Sequence, residues 1–394
     1  MIYADHHATT PCLPEAAAAV AAALAAAPGN PGSRQHPGGR AAQAIVDDAR
    51  AAAADLLGVR ADGIIFTSGA TEALNLAILG VMERQLAHRP RIVAPATEHP
   101  AVLAPLARLA EAGAEVIHPA LDRAGRVLSL GVDGRTALVC LQAVNQETGL
   151  MHDLPALAAE AHAAGALVLC DATQAPSRMA VDAHALGADL VACSSHKIYG
   201  PPGVGVLWLR PGLGLAPQIH GGGQERGLRG GTPNVPALAG FAVAARVARE
   251  RADLRGTHLR TLTARLEAAL QAALPRLVIH AADARRAPGV SMITLPDLRP
   301  GWLAQLAAVA ASGGSACSSG TGQPSPVLTA LGVPSEDARN SLRLSLGEGT
   351  TAEDVDAIAA AVIRGARRLA DGWASDATKG PGLPAAIDAT ITRR

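Results

Sequence analysis

The feature that most constrains this chain is an alternation. Short aliphatic runs at residues 64–67, 91–94, 115–118, 137–142, 167–171, 190–194 and 205–209 are separated by longer stretches of helical pattern, among them 71–87, 101–112 and 154–164. Strands that alternate with helices fold into an α/β unit around a mainly parallel sheet. Ligands of such sheets bind beyond the carboxyl ends of the strands. That rule singles out residues 68–71, 142–147, 171–174 and 194–197, each of which follows a predicted strand.

Beyond Pro236 the pattern is mostly helical to about Leu274, and a second region follows with strands near 278–280, 291–295 and 341–345. Thr351-Ala352-Glu353-Asp354 has the form of a helix start, and Val355, Ile358, Val362 and Leu369 recur at helical spacing. From Asp371 onward Gly, Pro, Asp and Thr accumulate, which predicts a loose tail. At 394 residues the chain is long enough for about two domains. Hydrophobic residues make up 49% and aromatics only 2%, so the core is expected to rest on Ala, Leu and Val.

A formal net charge of +0 argues against a general nucleic-acid binder. The five cysteines are Cys12, Cys140, Cys170, Cys193 and Cys317. An odd count, wide spacing and no CxxC pair speak against a disulfide framework or a zinc site, and no metal is expected. Reduced thiols point to the cytoplasm. The opening Met1-Ile2-Tyr3-Ala4-Asp5-His6-His7 lacks the pattern of a signal peptide. The alanine-rich run 16–27 is too short to span a bilayer and reads as helix, so no membrane association is expected.

Three strand ends carry chemistry. In Thr67-Ser68-Gly69-Ala70-Thr71-Glu72-Ala73 a strand turns into a helix whose free N–H groups and positive end favour a phosphate. The bland alternative is that Ser, Gly and Thr simply cap the turn. Asp171 ends an apolar strand, where a carboxylate suits a pyridinium N–H, or caps the next turn; Gln174 would reach the same ligand. In Ser194-Ser195-His196-Lys197-Ile198-Tyr199-Gly200 a strand-end lysine can form an imine with an aldehyde, with Ser194 and His196 toward its phosphate. Singly, such a lysine is most often a solvated charge. A phosphate cradle, a carboxylate and a lysine in this order favour a bound cofactor.

At these residues the chain resembles the cysteine desulfurases, class V aminotransferases of the fold-type-I pyridoxal-phosphate enzymes. The resemblance spans nearly the whole chain. It includes Ala8-Thr9-Thr10-Pro11, Asn30-Pro31-Gly32-Ser33, residues 66–73, Thr97-Glu98-His99 and Asn145-Gln146-Glu147-Thr148-Gly149. It continues through Asp171-Ala172-Thr173-Gln174, residues 195–201, Gly221-Gly222-Gly223-Gln224-Glu225, Arg229-Gly230-Gly231-Thr232, Gly314-Ser315-Ala316-Cys317 and Ser341-Leu342-Arg343. It implies a large cofactor-binding domain over 15–255 with a mostly parallel seven-stranded sheet. A smaller α+β domain over 1–14 and 256–371 and a flexible tail over 372–394 complete the implied fold.

The resemblance also implies roles. Lys197 carries pyridoxal 5'-phosphate, Asp171 pairs with its ring nitrogen and His99 lies over the ring. Ala70, Thr71, Ser194 and His196 hold the phosphate, Gln174 reaches the ring hydroxyl, Gln146 reaches that hydroxyl or the substrate, and Thr232 reaches the phosphate of a partner subunit in a homodimer. Arg343 holds the carboxylate of L-cysteine, its planar fork suiting that task; the alternative is a structural ion pair, as a turn histidine is for His99. Cys317, set among Gly and Ser that predict a mobile exposed loop, is the implied sulfur acceptor. Lys197 then removes the Cα proton, His99 helps move the thiol proton, alanine leaves, and Cys317 keeps a persulfide for an acceptor protein, in iron–sulfur assembly or thiolation.

The chain departs from the family pattern in four places. Gln146 stands where relatives have a second asparagine, Gly230 where they have serine, and Ser325-Pro326 where Ser-His is common. The tail lacks the segment that housekeeping members use to dock scaffold proteins. Two alternatives stay open: a selenocysteine lyase or other class V lyase, and a sulfur-relay or regulatory protein of low turnover.

Overall fold

The structure, a computed structural model, describes residues 1–26, 29–296, 306, 308–313 and 323–376. Its strands are β1 (Ile2–Tyr3), β2 (Ile64–Thr67), β3 (Arg91–Val93), β4 (Glu115–Ile117), β5 (Thr136–Gln142), β6 (Leu167–Asp171), β7 (Leu190–Ser194), β8 (Gly205–Leu209), β9 (Val278–Ile279), β10 (Val290–Thr294), β11 (Val309–Ala310) and β12 (Ser341–Ser345). The aliphatic runs become one 7-stranded sheet in the order β2-β8-β7-β6-β5-β3-β4. The pairings from β7 to β4 are all parallel. Strand β8 is antiparallel to both neighbours, β2 and β7. The connection 195–204 is too short for the helical crossover a parallel return needs, so the chain doubles back.

Alternation along each strand sorts its residues between two apolar layers. Val139, Leu141, Val168, Cys170, Val191, Cys193, Val206 and Trp208 face one layer. Leu138, Cys140, Leu169, Leu190, Ala192 and Leu207 face the other. Both faces are covered, as a parallel sheet requires. The covering helices are α1 (Pro14–Ala25), α2 (Pro37–Leu57), α3 (Ala70–Gln85), α4 (Pro100–Glu111), α5 (Leu154–Ala163) and α6 (Val235–Glu250). With few aromatics available, these helices meet through small residues. A side chain at Gly240 of α6 would come within 2.6 Å of Val20 of α1.

A second apolar cluster forms around the antiparallel sheet β12-β10-β9. It is covered by α7 (Ala252–Ala273) and by the last helix; two short helices, α8 (Pro326–Ala330) and α9 (Ser335–Arg339), precede β12. That last helix, α10 (Ala352–Asp376), extends past Asp371, so the expected loose tail begins later than its composition suggests. Strand β1 pairs with β11 in parallel. From there residues 4–10 pass along β12, where Ser345 N donates to Ala4 O at 2.7 Å, and reach the Lys197 turn, where Thr10 N donates to His196 O at 2.9 Å. This N-terminal run links the two clusters. Among the described residues no helix is long and apolar enough to cross a membrane.

Candidate active site

Six of the seven strands of the large sheet point their carboxyl ends the same way, and a cavity of about 390 Å³ lies beyond them. Its wall includes Ala70, Thr71, His99, Gln146, Asp171, Gln174, Ser194, His196, Lys197 and Arg343, so one space gathers ten of the residues singled out from sequence.

At one end is the start of α3. Its N-cap, Gly69, supplies no side-chain cap, which leaves the first-turn N–H groups at Ala70 and Thr71 without that partner. Gly205 is required beside it. A Cβ there would lie 2.3 Å from the Gly69 carbonyl carbon. The helix start, together with Ser194 and His196, forms a donor-rich pocket end suited to a phosphate. His196 sets its Nδ1 3.1 Å from Thr9 Oγ1, and burial, then Lys197, lowers its pKa to about 4.

Asp171 ends β6 and is buried; its Oδ1 accepts from Thr173 N at 2.9 Å. Behind it Glu98 accepts from Gln142 N at 2.9 Å, and burial, then Asp171, holds this carboxyl well above the ordinary range. His99 caps α4, its Nδ1 accepting from Ala101 N at 3.0 Å, so the neutral ring carries its proton on Nε2. Burial lowers the His99 pKa, Asp171 opposing and Lys197 adding to that shift.

Lys197 sits on a single 3-10 turn directly after β7. Its Nζ donates to the His7 carbonyl and, at 2.8 Å, to the Ala8 carbonyl. Burial, followed by the charge of Arg343, lowers its pKa to about 7, with Asp171 and Asp5 opposing. Two residues on, Tyr199 takes a left-handed φ of 67°, a conformation costly for an aromatic residue. Thr10 holds it there. The Thr10 hydroxyl accepts from Tyr199 N at 2.8 Å and donates to His196 O at 2.9 Å.

The opposite end belongs to Gln146 and Arg343. Asn145 is fully engaged, its Oδ1 accepting from Glu147 N, Thr148 N and Thr148 Oγ1 within the loop and its Nδ2 donating to Thr97 O at 3.1 Å. The loop is further anchored where Ser325, the N-cap of α8, donates to Glu147. Gln146 instead turns its amide to the cavity wall, where both its Nε2 and Oε1 are buried without a partner among the described residues. Arg343 reaches in from β12. Its Nη1 donates to Gln146 O at 2.8 Å, and its Nη2 to Asp5 Oδ1 at 2.9 Å and to Ser312 Oγ at 2.8 Å. Both readings of Arg343 are thus present: it is ion-paired to Asp5, while its buried Nε has no partner among the described residues.

Not every candidate is gathered here. Thr232 is exposed and lines a separate hollow with Glu225 and Arg229, meeting the cavity only at the shared Ser68 and Gly203. Cys317 lies outside the described residues. Cys140, Cys170 and Cys193 are buried, and burial raises their thiol pKa values, Cys193 to about 12, so none of the three is a ready nucleophile. Among the described residues no group of three or more His, Cys, Asp or Glu could hold a metal. Sequence reasoning missed Asp5, His7 and Thr10, although the polar run Asp5-His6-His7 was visible.

The aminotransferase class-V family profile matches residues 2–358. A cysteine desulfurase of Frankia sp. (strain EuIK1) is 41% identical over 391 residues, covering 92% of each chain. The chain belongs to the class-V aminotransferases, in the cysteine desulfurase family. A solved NifS-like protein superposes with a TM-score of 0.85 at 30% identity, covering 92% of this chain and 98% of that one. A structure of SspA in complex with cysteine superposes with a TM-score of 0.77 at 27% identity, covering 89% of this chain and 100% of that one. Family membership accounts for the seven-stranded sheet and for a cavity at its carboxyl edge.

Proposed function

We propose that this enzyme is a cysteine desulfurase that binds pyridoxal 5'-phosphate on Lys197, converts L-cysteine to L-alanine, and passes the sulfur through Cys317. The observation that carries the reading is the joint presence, in one cavity, of an anion-binding helix start, a strand-end carboxylate and a lysine whose pKa is lowered to about 7. These match the phosphate, ring nitrogen and aldehyde of one small molecule. The orphaned Gln146 amide offers further polar atoms to it or to the substrate.

When bound, pyridoxal phosphate supplies an electron sink for charge developing at the substrate Cα. The protein's residues do the rest. Asp171 pairs with the ring nitrogen and keeps the sink electron-poor. Lys197, with its lowered pKa, is available as a neutral amine near neutrality and takes the Cα proton. His99, neutral with its proton on Nε2, exchanges a proton with the thiol. Arg343, held by Asp5 and Ser312, presents its unpartnered Nε to the substrate carboxylate. Cys317 attacks the substrate sulfur, the carbon–sulfur bond breaks, and alanine leaves with Cys317 as persulfide.

A homodimer belongs to this reading, because Thr232 lies outside its own chain's cavity and would serve the partner's phosphate. Residues 15–255 form the cofactor-holding unit, and residues 1–14 with 256–371 supply Asp5 and Arg343. A protein acceptor, in the cytoplasm, would remove the persulfide sulfur. The test is alanine and sulfide release from L-cysteine with a dithiol acceptor. Lys197→Ala should abolish both products, and Cys317→Ala should abolish persulfide; full turnover by Cys317→Ala would refute the sulfur-acceptor role.

A further inference from the structure

The cavity holds a third histidine beside His99 and His196, and it is the most buried of them: His7 is 1% exposed. Its Nδ1 lies 3.1 Å from the Gln146 carbonyl oxygen. A carbonyl only accepts, so Nδ1 carries the ring proton and Nε2 keeps its lone pair. That Nε2 is buried and has no partner among the described residues. Burial, reinforced by Arg178 and Arg343, holds the ring well below its ordinary pKa, so it stays a neutral acceptor. A buried acceptor without a donor is costly, and a donor delivered by a ligand removes that cost.

The position of His7 says which donor. Its own carbonyl oxygen accepts from Lys197 Nζ and, at 2.9 Å, from Gln174 Nε2. The His7 backbone therefore receives the lysine nitrogen, and the charges of Arg178, Arg343 and Lys197 all act on its ring. On the proposed reading of the site, the substrate nitrogen and Lys197 Nζ serve the same aldehyde, so the substrate amine must come to this spot. The Gln146 carbonyl that binds the His7 ring also binds Arg343 at 2.8 Å, so the ring stands beside the arginine proposed to take the substrate carboxylate. We propose that His7 is a substrate-binding residue whose Nε2 accepts the N–H of the amino-acid amine beside Lys197. The occupant is an α-amino acid with a free amine.

The full-length holoenzyme, as wild type, His7→Leu and His7→Gln, is titrated with L-alanine and with β-mercaptopropionate, which has the carboxylate and thiol but no amine. Binding is read by calorimetry and by the absorbance of the bound cofactor. His7→Leu should weaken L-alanine about ten- to a hundred-fold and leave β-mercaptopropionate unchanged. His7→Gln, whose amide oxygen accepts, should recover most of the loss. Unchanged L-alanine binding in His7→Leu, or equal weakening of both ligands, overturns the proposal. Should His7→Leu fail to fold, isotope-labelled histidine in the wild-type protein decides: the His7 Nε2 resonance must move when L-alanine binds, and a stationary one overturns the assignment. A wild-type protein that takes up no cofactor would overturn both this and the desulfurase reading, and is told apart because it shows before any variant is made.

Discussion

Replacing Lys197 with Met in the cofactor-free protein should make the fold more stable. Burial, and then Arg343, lower the lysine from an ordinary 10.5 to about 7. Below about pH 7 the folded and unfolded chains both hold the proton, and the folded state carries the full penalty, roughly 5 kcal/mol at 1.36 kcal/mol per pH unit. As pH rises from about 7 toward 10.5, the folded state gives up the proton while the unfolded chain keeps it, so the penalty fades. Methionine removes the charge with little change of volume. It also removes the Nζ bonds to the His7 and Ala8 carbonyls, worth about 1 kcal/mol each, although His7 O keeps its bond from Gln174. The net gain of Lys197→Met is then about 2–3 kcal/mol near pH 7 and close to zero near pH 9. Urea midpoints and slopes for both cofactor-free proteins at the two pH values measure it. A variant less stable near pH 7, or an advantage that does not shrink with pH, would refute the electrostatic account of Lys197.

Three further outcomes follow from the same site. Glu98, held neutral by burial and Asp171, favours the fold at low pH and costs it stability as pH climbs above the ordinary 4.5. Glu98→Gln keeps the acceptor for Gln142 N and should gain on the wild type in thermal melts as pH rises above the ordinary carboxyl range; parallel curves would contradict it. Thr10→Val strips the partner from the Tyr199 N–H and should cost about 1–3 kcal/mol together with faster cofactor loss on dialysis, while Thr10→Ser should retain both. Gly205→Ala forces a Cβ against Gly69, and should cost about 1–3 kcal/mol and weaken cofactor uptake while the far-UV spectrum stays that of the wild type.

The strand ends were legible because β5, β6 and β7 are continuous aliphatic runs, and the rule that ligands sit beyond such ends needs no knowledge of pairing. Asp171, Ser194 and Lys197 follow from it directly. Arg343 is different. It sits on β12 of the small sheet and reaches the cavity only through the packing of that sheet against residues 4–10, a relation between positions hundreds of residues apart. Local pattern carries no trace of such a contact, so a family resemblance was needed to single it out. The reversal of β8 could have been read from the short 195–204 connection. The division of labour at Asn145-Gln146 could not, because two adjacent amides look alike until the loop assigns one to itself and the other to the cavity.

The N-terminal run shows why reading the large sheet alone leaves the site incomplete. Asp5 pairs with Arg343, the His7 and Ala8 carbonyls receive Lys197, and Thr10 pins the turn on which Lys197 stands. These contacts join the short segment to β12 on one side and to the Lys197 turn on the other, so its position sets the lysine and the carboxylate-binding arginine relative to each other. The strained left-handed Tyr199 is tolerated because Thr10, Leu13 and Glu348 hold its N–H, carbonyl and hydroxyl. The segment has low hydrophobic content and no helical or strand period beyond β1, which is why sequence pattern passes over it. Its grip on Lys197 itself lies in backbone carbonyls. Any residue type can present those, which makes them the least visible kind of site contribution in a sequence.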